Sequence, residues 1–340
     1  MANPPQPADP VIILSDGKRL IETDNFAPLS QLMDDMTTGQ RRSPIRLFKL
    51  LIEKKKMSLI VNPYETYGFN VIFEIETDNE FRVAFDLNRQ SDEKADVQIR
   101  TNYKATVQNG DVFAEYHHTM KRFLDKIPTP IDNFSVTTAG SVREDIRAAL
   151  YPMMEESYGN RVDLPRVKKF TMSYSGKAAD EPDVMGFLPY VQLVDEKQLV
   201  FRPEEDFGRK ELRLQRVFGT QQWTAARELS LEGNFWCKFN NQSWWRFERA
   251  LLECDTLRRV DVQAFIENIF ETNRLSVDYT IFENSPAIGG EDEFTEYCRS
   301  FTRDFDRGYG QVWYTAKDPK EGAGPMHVGF DKQTFYFQRP

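Results

Sequence analysis

The stretch NVIFEIETDNEFRVAFDL, residues 70 to 87, constrains the fold more than any other part of the chain. Apolar and polar residues alternate, break at TDNE, and alternate again, which is the pattern of a strand, a turn and a second strand. On the first of these, Val71, Phe73 and Ile75 project to one side and Glu74 and Glu76 to the other. MSLIVNPYETYGF precedes the pair. ADVQIRTNYKATV follows it, with Val97 and Ile99 alternating and an NG turn at Asn109 and Gly110. Together they predict an antiparallel meander of about four strands.

Helical periods surround this sheet. Ser43 before Pro44 predicts a helix from about 44 to 56. Phe113, Tyr116, His117, Met120, Leu124 and Ile127 recur at three- and four-residue spacing until Pro128, a second helix. SVRE places a capping box between Ser141 and Glu144, and Ile146, Ala149, Leu150 and Met153 form the stripe of a third, which Pro152 should kink or end.

The segments TPIDNFSVTTAG and SYSGKAADEPDVMG read as connections, and a domain boundary is expected between 160 and 185. Beyond it, PYVQLV and KQLVFRP predict a hairpin around Asp195 and Glu196, and KELRLQRVF a further strand. Helices are predicted at about 243 to 258, 262 to 272 and 291 to 306, and QVWYTA and QTFYFQ as a closing hairpin. The expected class is α+β: an antiparallel meander with packed helices, followed by a second, mixed sheet and helical part. The expected organisation is a disordered N-terminus over 1–20, a first domain over 21–165 and a second over 185–340, with no repeat of 20 to 50 residues.

With 340 residues the chain is long enough for two domains, and 26 Phe, 13 Tyr and 5 Trp supply ample core. Cys237, Cys254 and Cys298 are an odd number at wide spacing, which argues against a disulfide framework and for a reducing compartment, cytoplasmic or nuclear. No apolar run reaches the length of a membrane helix and MANPPQPADP lacks the segments of a signal peptide, so no membrane partner is expected.

Two segments point to a polyanion. Between 41 and 56 stand Arg41, Arg42, Arg46, Lys49, Lys54, Lys55 and Lys56 with one acid, Glu53, a local charge of +6 in a chain of net charge −9. Such a run is either a solvated helix face or a patch that neutralises phosphates, and the stripe Ile45, Phe48, Ile52 implies that the helix is packed. In GNFWCKFNNQSWWRFER, residues 233 to 249, six aromatics are interleaved with Lys238, Arg246 and Arg249. Single-stranded nucleic-acid sites combine stacking rings with cations in this way. Trp244, Phe247, Leu251 and Cys254 share a helical stripe that reads as core. Trp236 and Trp245 are expected to be exposed, with Arg246 beside them.

Glu74 and Glu76 are the candidate metal carboxylates. Across the turn, Arg82 and Asp86 stand at polar positions, with Arg100 and Lys104 beyond. The strand resembles the first strand of the triphosphate tunnel enzymes, whose pattern is ExExK; Asp78 stands at the lysine position. The resemblance implies a metal-dependent phosphohydrolase. The competing reading is a water-facing sheet with opposite charges paired across strands, as antiparallel sheets allow. A similarity to the opening strands of Argonaute N-terminal lobes covers SLIVNPYETYGFNVIFEIET and contains no family-defining motif. His117, His118 and His327 do not have the spacing of a zinc site, and no nucleophile motif, P-loop or dinucleotide fingerprint occurs. No catalytic residue, metal ligand or cofactor is nominated. The leading expectation is a non-catalytic protein that binds RNA or another polyanion. The alternatives are the phosphohydrolase and a protein-interaction or assembly component, a viral one included.

Overall fold

The computed structural model describes residues 12–15, 18–22, 45–53, 56–64, 67–77, 80–89, 101–108, 111–126, 130–139, 143–175, 181–203, 210–233, 235–254, 257–272, 274, 276–283, 302–303, 312–316, 325–331 and 334–339. They are mixed α/β, with large sheets and few helices. The chain divides into two units, Met1–Ala178 with Pro182–Asp195, and Ala179–Glu181 with Glu196–Pro340.

In the first unit the strands are β1 (Ile12–Ser15), β2 (Lys18–Glu22), β3 (Ile45–Glu53), β4 (Lys56–Tyr64), β5 (Tyr67–Thr77), β6 (Glu80–Arg89), β7 (Thr101–Gln108), β8 (Ile131–Ala139) and β9 (Arg166–Ser175). The helices are α1 (Val112–Lys126), α2 (Arg143–Tyr158) and, across the unit division, the short α3 (Glu181–Met185). From β3 to β7 each strand pairs antiparallel with the next. Outside that run β2 pairs with β7, β3 with β8 and β8 with β9, all parallel. The N-terminal region expected to be disordered contains β1 and the start of β2; residues 1–11 lie outside the described ones.

The helix predicted over 44 to 56 is instead the hairpin of β3 and β4. Ile45, Phe48 and Ile52 satisfy a helical period, but Phe48, Leu50 and Ile52 also satisfy a period of two, and the partners decide. Phe48, Leu50 and Ile52 stand opposite Val61, Leu59 and Met57 of β4, and all six are buried. On the other edge Phe48, Phe134 of β8 and Phe170 of β9 form a stacked row, with centroids 5.3 and 6.0 Å apart. Burial between two sheet neighbours outweighs a local helical preference.

α1 lies on this face. Phe73 meets Tyr116 edge-on at 5.4 Å, and the Tyr116 hydroxyl donates to the Ser58 carbonyl at 3.2 Å. Its N-terminus is capped by Asp111, whose Oδ1 accepts from the amides of Phe113 and Ala114. α2 continues six residues past Pro152, which is exposed, because Leu150, Met154 and Tyr158 on its inner side are fully buried. The kink or stop expected at Pro152 does not end the helix.

β10 (Gln192–Pro203) is one strand where a hairpin was predicted. Asp195 and Lys197 take left-handed φ values of 53° and 52°, so the DEK segment is accommodated inside the strand, at the unit division, without reversing the chain.

The second unit adds β11 (Lys210–Glu211), β12 (Glu228–Leu231), β13 (Phe235–Trp236), β14 (Arg249–Cys254), β15 (Val277–Glu283), β16 (Thr302–Arg303), β17 (Val312–Ala316), β18 (Met326–Asp331) and β19 (Thr334–Arg339). Its helices are α4 (Gln221–Ala225) and α5 (Arg259–Glu271). β10, β12, β14 and β15 run parallel; β19, β18, β17 and β16 follow antiparallel. α5 fits the helix expected at 262 to 272. The one expected at 243 to 258 is a 3-10 turn, Gln242–Trp244, followed by β14. There Ala250, Leu252 and Cys254 are buried in alternation, a strand period that the aromatic stripe obscured. Of the helix expected at 291 to 306, residues 291–301 lie outside the described ones and Thr302–Arg303 are β16. β18 lies between the two strands of the expected C-terminal hairpin and pairs with both.

Phe265 of α5 organises the second core. Its ring lies 4.8 to 5.7 Å from those of Tyr279, Phe337, Phe239 and Trp245, which joins the helix to β15, β19 and the 239–245 loop. No helix among the described residues is long and apolar enough to cross a membrane.

Candidate functional site

The acidic face of β5 is matched in register by cations. Glu74 stands opposite Lys56 of β4 and Arg82 of β6, and Lys56 in turn stands opposite Glu53 of β3. Residues of alternating charge thus stand in register on four adjacent strands. A divalent cation needs several converging oxygens. Among the described residues no three His, Cys, Asp or Glu side chains are grouped to hold one. The Glu76 side chain lies outside the described ones.

Residues 45–53 and 56–64 are the strands of a hairpin, so the expected helix face does not exist. Arg41, Arg42, Lys54 and Lys55 lie outside the described residues, and of Arg46 only the backbone, within β3, is described. Lys49 is half-buried opposite Ile60 and Ser135. Lys56, also half-buried, sits in the charge row just described.

The aromatic segment is mostly interior. Trp245, expected at the surface, is 3% exposed; its Nε1 donates to the Phe239 carbonyl at 2.6 Å, and its ring packs on Phe239 and Phe265. Trp244 meets Trp223 at 5.5 Å and Phe218 at 5.2 Å. Large rings that can reach one another bury one another, because their apolar area dominates the energy. Trp236, in β13, is half-buried, and its carbonyl accepts from the Leu212 amide.

The cations of this segment divide in two. Lys238 pairs with Glu211 at 3.3 Å, and Arg249 pairs with Glu228. Arg246 has no such partner among the described residues. Its Nη2 donates to the Thr224 carbonyl and its guanidinium lies 5.9 Å from the centre of the Phe247 ring. Arg274 is anchored at the same residue: its Nη1 donates to the Phe247 carbonyl at 3.2 Å and its Nη2 lies 3.5 Å from Asn268 Oδ1. Both arginines are half-buried, and the Nε of each is buried without an acceptor. Glu248, the nearest acid in sequence, pairs with Arg227 at 3.5 Å instead, both being more than half exposed. Among the described residues no carboxylate pairs with either Arg246 or Arg274.

The backbone beneath them is fixed. The Tyr279 hydroxyl, fully buried in β15, accepts from the Phe247 amide at 2.9 Å and donates to the Trp244 carbonyl at 3.2 Å. Burial pushes this hydroxyl well above its ordinary pKa. Burial also pushes the Arg246 guanidinium down from its ordinary value; Tyr279 opposes that shift and the charge of Arg274 adds to it. The sequence reading missed Arg274 and Tyr279. Arg274 stands among polar residues after α5, and nothing local shows that it reaches a carbonyl 27 residues away.

No protein family and no curated protein matches the chain. Among solved structures it is similar to the MycE methyltransferase from the mycinamycin biosynthetic pathway, in complex with Mg and SAH. The two share 8% identity over 92% of this chain and 84% of that one, with a TM-score of 0.22, a likeness too low to inform fold or function.

Proposed function

We propose that this protein is a non-catalytic binding protein for RNA or another polyanion, acting in the cytoplasm or nucleus. Its candidate cations are Arg246 in the second unit and, separately, the basic run over 41–56 in the first. The observation that carries this reading is the state of Arg246: half-buried, beside another arginine, and paired with no described carboxylate. A cation in that setting is stabilised by an anion from outside, and nucleic acid supplies anions at regular spacing. Stacking on Trp245 is not part of the reading, since that ring is core.

The test is binding of a short labelled RNA, single- or double-stranded, followed by anisotropy across a salt series. Affinity should fall steeply with salt, and Arg246→Gln should weaken it and reduce the slope by roughly 0.7 to 0.9 units for each phosphate that is no longer neutralised. Lys56→Gln should act in the same direction. A protein that binds neither form at ~50 mM salt, where screening is weak, removes the polyanion and leaves a protein partner as the leading alternative.

A further inference from the structure

We infer that Arg246 and Arg274 together form a discrete site for a single phosphate group, mounted on the 244–247 backbone of the second unit. The inference rests on the polyanion reading and specifies which part of the ligand is gripped.

Three features carry it. Each guanidinium has five N–H donors in a planar fork, and each spends only one or two on neighbouring acceptors, so donors remain on both. The acceptors that hold the two side chains are themselves held. Phe247 lies between the hydroxyl of Tyr279 and the ring of Trp223, 5.0 Å away, and Thr224 belongs to α4, which Thr220 caps. The positional ordering that binding ordinarily costs is thus largely in place before a ligand arrives. Finally, the other cations of the 233–249 segment, Lys238 and Arg249, have acids of their own, whereas neither Arg246 nor Arg274 is paired with a described carboxylate.

The chemistry selects phosphate over carboxylate. A carboxylate has two oxygens and one charge, and a single arginine fork satisfies it. Two guanidiniums anchored at one residue, Phe247, offer two forks and two positive charges, which match a group with three or four oxygens and up to two negative charges. Such a group can be free inorganic phosphate, the terminal phosphate of an oligonucleotide, or a phosphodiester within it.

The experiment uses the full chain. Thermal unfolding is followed as sodium phosphate is titrated against sodium chloride at equal ionic strength, and two oligoribonucleotides of one sequence, with a 5′-phosphate or a 5′-hydroxyl, are compared by anisotropy. Phosphate should raise the unfolding midpoint beyond chloride. Arg246→Gln and Arg274→Gln should each abolish that increment, and Arg246→Lys, which keeps the charge and loses the fork, should weaken phosphate roughly tenfold or more. A 5′-phosphate that tightens binding about tenfold identifies the terminal group as the ligand. Equal binding of both oligonucleotides, abolished in either glutamine variant, identifies the internal phosphodiester. Phosphate that acts no differently from chloride on the wild-type chain overturns the site, and so does an increment that survives both glutamine variants. If a glutamine variant fails to fold, the wild-type titration and Arg246→Lys still decide. The two proposals fail separately. A phosphate effect without oligonucleotide binding removes the polyanion reading and keeps the site. Oligonucleotide binding that ignores both arginines does the reverse.

Discussion

Trp245 and Phe239 are bound to each other twice, by the indole N–H on the Phe239 carbonyl at 2.6 Å and by their rings at 5.8 Å. The pair closes the loop between β13 and β14 over Phe265. Trp245→Ala should therefore destabilise the second unit by ~3 to 5 kcal/mol through the cavity it leaves. Trp245→Phe, which keeps the ring and removes the donor, should cost ~1 to 3 kcal/mol. Denaturant unfolding measures both. A Trp245→Ala protein with wild-type stability would mean that the ring is not core.

The charge row on β3 to β6 makes a signed prediction. Glu74→Lys places like charges in register with Lys56 and Arg82 and should cost ~0.2 to 1 kcal/mol. Adding Lys56→Glu should restore part of the loss, because the exchange returns opposite charges to that pair. A double-mutant cycle isolates the coupling. Additive losses would show that the register partners do not interact.

His117 sets an acid limb. It is buried on α1 with its Nε2 unpaired. Burial, followed by the charges of Lys121 and His118 and against that of Glu156, lowers its pKa below the ordinary histidine value. The unfolded chain then binds the proton more readily than the folded one in the window below about pH 6.5, so stability rises with pH there and is lost as pH falls. The urea midpoint should be lower at pH 5.5 than at pH 7.5, and His117→Leu should flatten that dependence. An unchanged acid limb in the variant would assign it to other groups.

Gly329 is a close approach with no spare room. It stands opposite Trp313 across β17 and β18, and a Cβ there would lie 2.6 Å from two carbons of the indole. Trp313 is itself buried and stacked on Tyr336 at 5.7 Å, so it has little freedom to withdraw. Gly329→Ala should cost ~1 to 3 kcal/mol in a thermal or denaturant melt, whereas an alanine tolerated at no cost would show that the ring can turn aside.

Residues with one consistent period were legible in the sequence. The α1 stripe from Phe113 to Leu124 and the α5 stripe from Val262 to Ile269 admit only a helix, and helices are found there. Residues 45 to 53 fit two periods, and their strand identity depends on Phe134 and Val136, more than 80 positions along the chain. The candidate site divides in the same way. Arg246 was visible because it lies among aromatics. That Glu211 and Glu228 pair with Lys238 and Arg249, and that Arg274 bonds the Phe247 carbonyl, are tertiary facts with no local sequence signal.

The parallel pairing of β3 with β8 has a consequence for the chain as it is made. β3 ends at Glu53 and β8 at Ala139, so 86 residues must be synthesised before the second edge of β3 can be closed. At about 5 to 20 residues per second, that edge stands open on the ribosome for roughly 4 to 17 s. Its Phe48, Leu50 and Ile52 are the kind of unpaired apolar strand that recruits other chains. Lys49, within the strand, and Lys56, at the start of β4, are the described cations of the hairpin, and charge of that kind discourages self-association.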